Sequence, residues 1–297
     1  LAAVVMFSLA RGLCSVSSKY VLGKTSPQTR RGRVSGIAAG LSGVIVVLVG
    51  FGIYTGRPAD AAIYAALLFG AAVLWWIAAL VYGSISEEPG ETGGGGNAAV
   101  VAMKSLGLLA RDRPFRRFVV TRALLISSAL TAPYYVALAQ RSSGGSASVL
   151  GLIILAGGLA SSLSAPTWGK LADRSSRSVL LLAATSTGVL GIAIFSVERM
   201  LSGDVPTWVY PAAFLLLGVA HSGIRLGRKT YLVDMAGGNK RTDYVAVSNT
   251  VIGVILLVGG GVIAALSFLS PVMLILVLAG ASIAGALWGL GLPVVKE

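Results

Sequence analysis

Residues 147–197 read ASVLGLIILAGGLASSLSAPTWGKLADRSSRSVLLLAATSTGVLGIAIFSV. Two apolar runs, 147–168 and 178–197, flank a short stretch that carries Lys170, Asp173, Arg174 and Arg177. Each run is about 20 residues, the length an α-helix needs to cross the hydrocarbon core of a bilayer. Barrel strands are excluded, because they are about half as long and alternate apolar with polar residues. The runs are rich in Gly, Ala and Ser, which let membrane helices pack closely. With no water in hydrocarbon, the backbone must pair within the segment, and that leaves the α-helix.

The same reading extends outward in both directions. Complete spans are expected at about 36–55, 60–83, 117–139, 147–168, 178–197, 207–226, 245–268 and 271–292, with a ninth, partial one from Leu1 to about Ser17. The class is therefore all-α, a polytopic membrane helix bundle. Of 297 residues, 55% are hydrophobic and 12% charged, with mean hydropathy +0.84. A soluble chain is about a quarter charged, so a water-soluble domain of this size is excluded. One cysteine, Cys14, allows no intrachain disulfide, and one histidine, His221, makes no Cys/His metal cluster. No metal and no cofactor is expected. The first residues read as an apolar helix already under way, so the chain is expected to lack its natural N-terminus.

The charge excess, 24 Lys+Arg against 11 Asp+Glu, would suggest a nucleic-acid partner on a soluble protein. Along these spans it has another meaning. Only Arg57, Arg141 and Arg199 fall at one set of connections. Every other basic residue falls at or near the alternate set, from Lys19, Lys24, Arg30, Arg31 and Arg33 to Lys296. Basic residues collect in cytoplasmic loops, so that side is expected to be cytoplasmic, with the C-terminus inside and the protein integral to the cell membrane. No nucleic-acid partner is then expected; lipid is.

Compared with itself, the chain matches at an offset of 210 residues without gaps. Lys19 meets Lys229, Leu22 meets Leu232, Arg30-Arg31 meets Lys240-Arg241, and Gly43-Val44-Ile45 meets Gly253-Val254-Ile255. Both copies enter from the same side, which makes a parallel repeat with its axis along the membrane normal. The three helices from about residue 207 match the first three, and spans 117–197 have no partners in the chain. The division expected is 1–83 as the remainder of an N-terminal six-helix half, 84–116 as a linker and 117–297 as a C-terminal six-helix half, twelve spans in the whole protein. The linker holds Glu87, Glu88, Pro89 and Gly93–Gly96, a flexible composition; its Ala98–Ala110 part reads as a short amphipathic helix.

The turn Gly169-Lys170-Leu171-Ala172-Asp173-Arg174-Ser175-Ser176-Arg177 resembles the signature loop of the major facilitator superfamily. Gly169, Asp173, Arg174 and Arg177 match that pattern; Ser176 and Ser178 stand where a Gly and a second basic residue often flank the later Arg. The resemblance implies a permease with the loop between its eighth and ninth helices, acting in the gate. Asp173 near a helix N-terminus is favoured by the helix dipole and can accept hydrogen bonds. The resemblance also implies that the first, fourth, seventh and tenth helices line a central cavity.

On the expected seventh helix, Ser127, Thr131 and Tyr134 share one face at i, i+4 and i+7, and Pro133 is expected to kink it. On the tenth, His221 falls at the repeat position of Arg11 on the fourth. Arg11, Ser127, Thr131, Tyr134 and His221 are the substrate-binding candidates: the cation for an anionic group, the imidazole for a proton. Arg122 and Arg225 read as snorkelling to the surface, and Ser248 and Asn249 as gate packing. No acid falls in the middle of a span, so a proton, if it is the coupling ion, needs His221 or a group outside the chain. No catalytic residue is assigned. A membrane enzyme would need clustered acids or metal ligands within the spans, and no Walker A motif supplies ATPase chemistry. The function expected is secondary transport of a small solute by rocking of the two halves; the alternative is a transporter-like sensor or scaffold without flux.

Overall fold

A computed structural model describes residues 2–54, 61–86, 107–202, 204–236, 240–266 and 268–295. The Glu87–Gly96 part of the linker, most of its expected amphipathic helix, and Arg57 lie outside the described residues. Among those described, all regular structure is helical: α1 (Ala2–Thr25), α2 (Gln28–Tyr54), α3 (Ala61–Gly83), α4 (Leu108–Arg111), α5 (Arg113–Leu124), α6 (Ser127–Ser142), α7 (Ala147–Met200), α8 (Val209–Met235), α9 (Lys240–Ala265) and α10 (Pro271–Gly289). Among the described residues, six segments are long and apolar enough to cross a membrane: Thr29–Gly52, Arg113–Ser142, Ser148–Met200, Val209–Met235, Asp243–Ala265 and Pro271–Gly289.

The stretch that opened the sequence reading forms α7, whose 54 residues are helical except at Ser175 (φ −161, ψ 97). There the chain turns back and a second arm begins. Ser175 caps that arm: its Oγ accepts from Ser178 N at 3.2 Å, the geometry by which serine satisfies an orphan N–H of a first helical turn. The expected spans 147–168 and 178–197 thus fall on the two arms. Ser175→Ala is expected to cost about 1 kcal/mol, as lost N-caps do, read as a lower thermal midpoint of the purified protein.

The first arm of α7 runs antiparallel to α2 along a seam of small residues. A Cβ on Gly36 would strike the Ala165 carbonyl oxygen, one on Gly43 would lie 2.6 Å from Ser162 Oγ, and one on Gly158 would lie 2.7 Å from Val47 N. At the far end, a Cβ on Gly151 would lie 2.6 Å from Tyr54 N. Only glycine permits this approach along the whole pair. Hydrocarbon gives no hydrophobic drive between helices, so such backbone-to-backbone packing is what joins them.

The expected span 117–139 is two helices. Asp112 caps α5 by accepting from Phe115 N at 2.9 Å, and Pro114 stands in its first turn. The chain breaks at Leu125–Ile126, while α6 continues through Pro133. The expected kink therefore lies about two turns earlier than the proline. Two hydroxyls satisfy carbonyls freed there: Ser127 Oγ donates to Leu124 O at 2.7 Å and Ser128 Oγ to Leu125 O at 2.9 Å. Two apolar clusters hold the bundle. One gathers Phe115, Phe118, Leu180, Tyr231 and Tyr244 near the end that carries Asp173; the other gathers Tyr135, Ile153, Tyr210, Leu217 and Ile275 toward the opposite end.

Several helices run further than hydropathy marks. α1 reaches Thr25, α2 starts at Gln28 and α8 reaches Met235. Lys19, Lys24, Arg30, Arg31, Arg33, Arg225, Arg228 and Lys229, expected in loops or at span ends, are helical. Apolar windows locate hydrocarbon, and hydrogen bonding carries the helix past its edge.

Candidate functional site: a carboxylate lock and a cationic cavity

Arg30, Arg31 and Arg33 occupy the first turns of α2, where the helix dipole disfavours cations. Two carboxylates answer them. Asp173 accepts from Gly32 N at 2.6 Å and Arg33 N at 3.0 Å, with Arg33 Nε at 3.9 Å. Asp234, at the end of α8, pairs with the Arg31 guanidinium at 3.0 Å. Arg31 also donates through Nε to Ser26 O at 3.0 Å and through its second amino group to Gly23 O at 2.8 Å. The pair is buried, at 8% and 6% side-chain exposure. The turn between α1 and α2 is thus fastened to α7 and to α8 at two points.

Gly169 shows why the loop needs its spacing. A Cβ there would lie 2.5 Å from Gly32 O, so only glycine lets α7 approach the start of α2. Asp173 follows one helical turn later on the same face and meets the two backbone N–H groups. Arg177 donates to Leu290 O, the C-cap of α10, where a cation suits the negative helix end. Arg174 is exposed. Arg31→Lys is expected to slow function and lower the thermal midpoint, because an ammonium cannot reach three acceptors in the fork that the guanidinium spans; assays of both on the same preparation check it.

A cavity of about 200 Å³ lies at the same end, lined by Ser15 and Lys19 of α1, Arg122 of α5, Arg225, Arg228, Lys229 and Leu232 of α8, and Asn249 of α9. Arg122, read from sequence as snorkelling, is instead 9% exposed. It donates to Ser248 Oγ at 2.5 Å and Asn249 Oδ1 at 3.0 Å. Lys19 donates to Ser15 Oγ at 3.1 Å. Arg225 is exposed and lines the same cavity.

The five residues expected to contact substrate do not come together. Ser127 pairs with Ser282 of α10 at 2.7 Å, and Thr131 Oγ1 donates to Ser127 O at 2.7 Å; both are buried. Tyr134 is half-buried against the cluster at the opposite end. His221 Nδ1 lies 3.0 Å from Ser128 Oγ. With the Ser128 proton on Leu125 O, His221 donates and its Nε2 is left to accept. His221, Arg225 and Arg228 follow at i, i+4 and i+7, so His221 stands a turn deeper on the cationic face of α8. Arg11 is exposed and lines a separate cleft of about 510 Å³ with Cys14, Trp75 and Tyr82.

The sequence reading missed the cavity because it assigned Lys19, Arg228 and Lys229 to topology. One signal was present: the 210-residue offset pairs Lys19 with Lys229 and Ser15 with Arg225, and all four line this cavity.

A family model described as Major Facilitator Superfamily matches residues 118–297. No curated protein matches the chain. With 180 of 297 residues matched, the signature turn at 169–177 and the long apolar helices, the chain is an integral, multi-pass membrane protein that belongs to the Major Facilitator Superfamily.

Proposed function

We propose that the protein is a secondary transporter that moves a small solute by alternating access. Residues 1–83 belong to one half and 117–297 to the other, joined by 84–116, on a plan of twelve spans of which eight and part of a ninth lie in this chain. The basic end faces the cytoplasm, in the cell membrane. Gly169, Asp173, Arg174 and Arg177 form the gating loop. Members of the family are transporters rather than enzymes, and that supports flux over catalysis.

The observation that carries the reading is the reach of Asp173 and Asp234 to the α1–α2 turn. Under this division both contacts cross from one half to the other at one end of the bundle. They are polar and few, so they can break and re-form, while the close glycine seam between α2 and α7 keeps the two helices together. That is the mechanical requirement of a bundle rocking about a central site.

The test is solute flux in proteoliposomes over a panel of anionic, neutral and cationic small solutes. Protein-dependent uptake or efflux of one class is expected. Ligand binding without flux across the panel would make the protein a sensor instead. His221 and Arg11 are kept as substrate-contact candidates, each at its own place and not in one site. His221→Ala is expected to remove whatever dependence flux has on a proton gradient, because its Nε2 is left to accept a proton. Flux indifferent to both His221→Ala and Arg11→Ala takes these residues out of the site.

A further inference from the structure

The cationic cavity has no counter-charge. Lys19, Arg122, Arg225, Arg228 and Lys229 line it, and no carboxylate does among the described residues. The described acids are engaged or placed elsewhere. Asp173 and Asp234 hold the α1–α2 turn. Asp112 caps α5 and accepts from Tyr244, and Glu198 accepts from Tyr210. Asp204 and Asp243 are exposed. The cations' recorded partners are neutral: Ser15, Ser248 and Asn249. Arg122 Nε is buried with no hydrogen-bond partner in the described structure. Like charges in a space screened poorly by water repel strongly, and gathering them costs stability unless something negative enters.

We infer that this cavity binds a small oxyanion with at least two negative charges, a phosphate monoester or a short di- or tricarboxylate, and that such an anion is the transported solute. The inference rests on the transport reading for its second half only. Three features fix the class. The guanidinium groups match the geometry of phosphate and carboxylate oxygens. The volume, about 200 Å³, holds about seven waters at ~30 Å³ each, which suits a compact solute and excludes a nucleotide. The repeat places Lys19 and Lys229 at equivalent positions of α1 and α8, so one cavity is lined by two lysines from two helices. A doubly charged anion between them satisfies both. An anion held by groups from both halves also couples its binding to their relative position.

The experiment is calorimetric titration of the protein, in nanodiscs of neutral phosphatidylcholine, with citrate and with inorganic pyrophosphate, beside sorbitol and choline. Binding of at least one anion is expected, with none of sorbitol or choline. Lys19→Gln and Lys229→Gln are each expected to weaken it about tenfold, and the double variant about a hundredfold, whereas Arg113→Gln, an exposed cation of the same end outside the cavity, leaves it unchanged. Removing like charges relieves repulsion, so these variants are expected to fold with an equal or higher thermal midpoint. No anion binding up to 10 mM, or equal binding by the lysine variants, overturns the inference. Charge-dependent stabilisation by phosphatidylglycerol nanodiscs alone, without binding of soluble anions, overturns it too, since the cavity would then be a lipid headgroup site. The two readings fail separately: flux of a neutral solute without anion binding leaves transport standing, and anion binding without flux leaves the site standing.

Discussion

Asp173→Asn lowers the transport rate at least tenfold while the protein is made, inserted and folded as before. The carboxylate accepts from Gly32 N and Arg33 N, with Arg33 Nε nearby. An asparagine keeps one acceptor oxygen, brings an NH₂ that faces donors, and drops the charge. Hydrogen bonds to charged groups contribute about 1.5–3 kcal/mol, and each 1.4 kcal/mol is a factor of about ten in an equilibrium. The state closed at the basic end therefore loses about ten- to a hundredfold in population relative to the open one, and a cycle that must pass through it slows in proportion. Folding is spared because the lock sits on a bundle already held by the α2–α7 seam and two apolar clusters. Initial rates in proteoliposomes, normalised to inserted protein, measure the effect. An unchanged rate takes Asp173 out of the gate.

Gly158→Val acts the other way, on the scaffold. The added Cβ would lie 2.7 Å from Val47 N and 2.8 Å from Val47 Cγ2, and an opposing backbone cannot yield as a flexible side chain can. Overpacking a well-packed site costs typically about 1–3 kcal/mol, and backbone opposition puts this case at the upper end. The yield of folded protein and its thermal midpoint both fall. Gly260→Val on α9 is the control: nothing lies within 4 Å of its would-be Cβ, so the midpoint moves little. If the two variants melted alike, the seam would not be what joins α2 to α7.

The sequence shows the helical class through the length of its apolar runs, and the loop 169–177 through the spacing of Gly169 and Asp173. That spacing is physical: one glycine for close approach, one turn, one carboxylate. What it conceals is the partner. Asp173 meets the backbone of Gly32 and Arg33 some 140 residues away, and a backbone N–H leaves no signature in a side-chain pattern. Arg31 and Asp234 are visible as charges but sit 203 residues apart, with nothing in the sequence to join them. Ser127 and Thr131 do share a face, but both are buried and Ser127 meets Ser282 of α10, because amphipathic spacing does not say whether a neighbour or a cavity lies opposite. The cationic cavity is the largest such case. Its residues lie toward the basic ends of the helices, and there a charge that sets topology looks the same as a charge that binds.

In the proposed cycle the basic end opens and closes. The most direct measurement is the distance between spin labels at Thr25 and Lys170, both exposed and on opposite sides of the lock, taken by pulsed electron resonance on the protein in lipid nanodiscs. Two populations are expected, a short distance with the Asp173 contacts made and a longer one with them broken, and a shift toward the longer in Asp173→Asn. One narrow short distance, the same in both proteins, would contradict it.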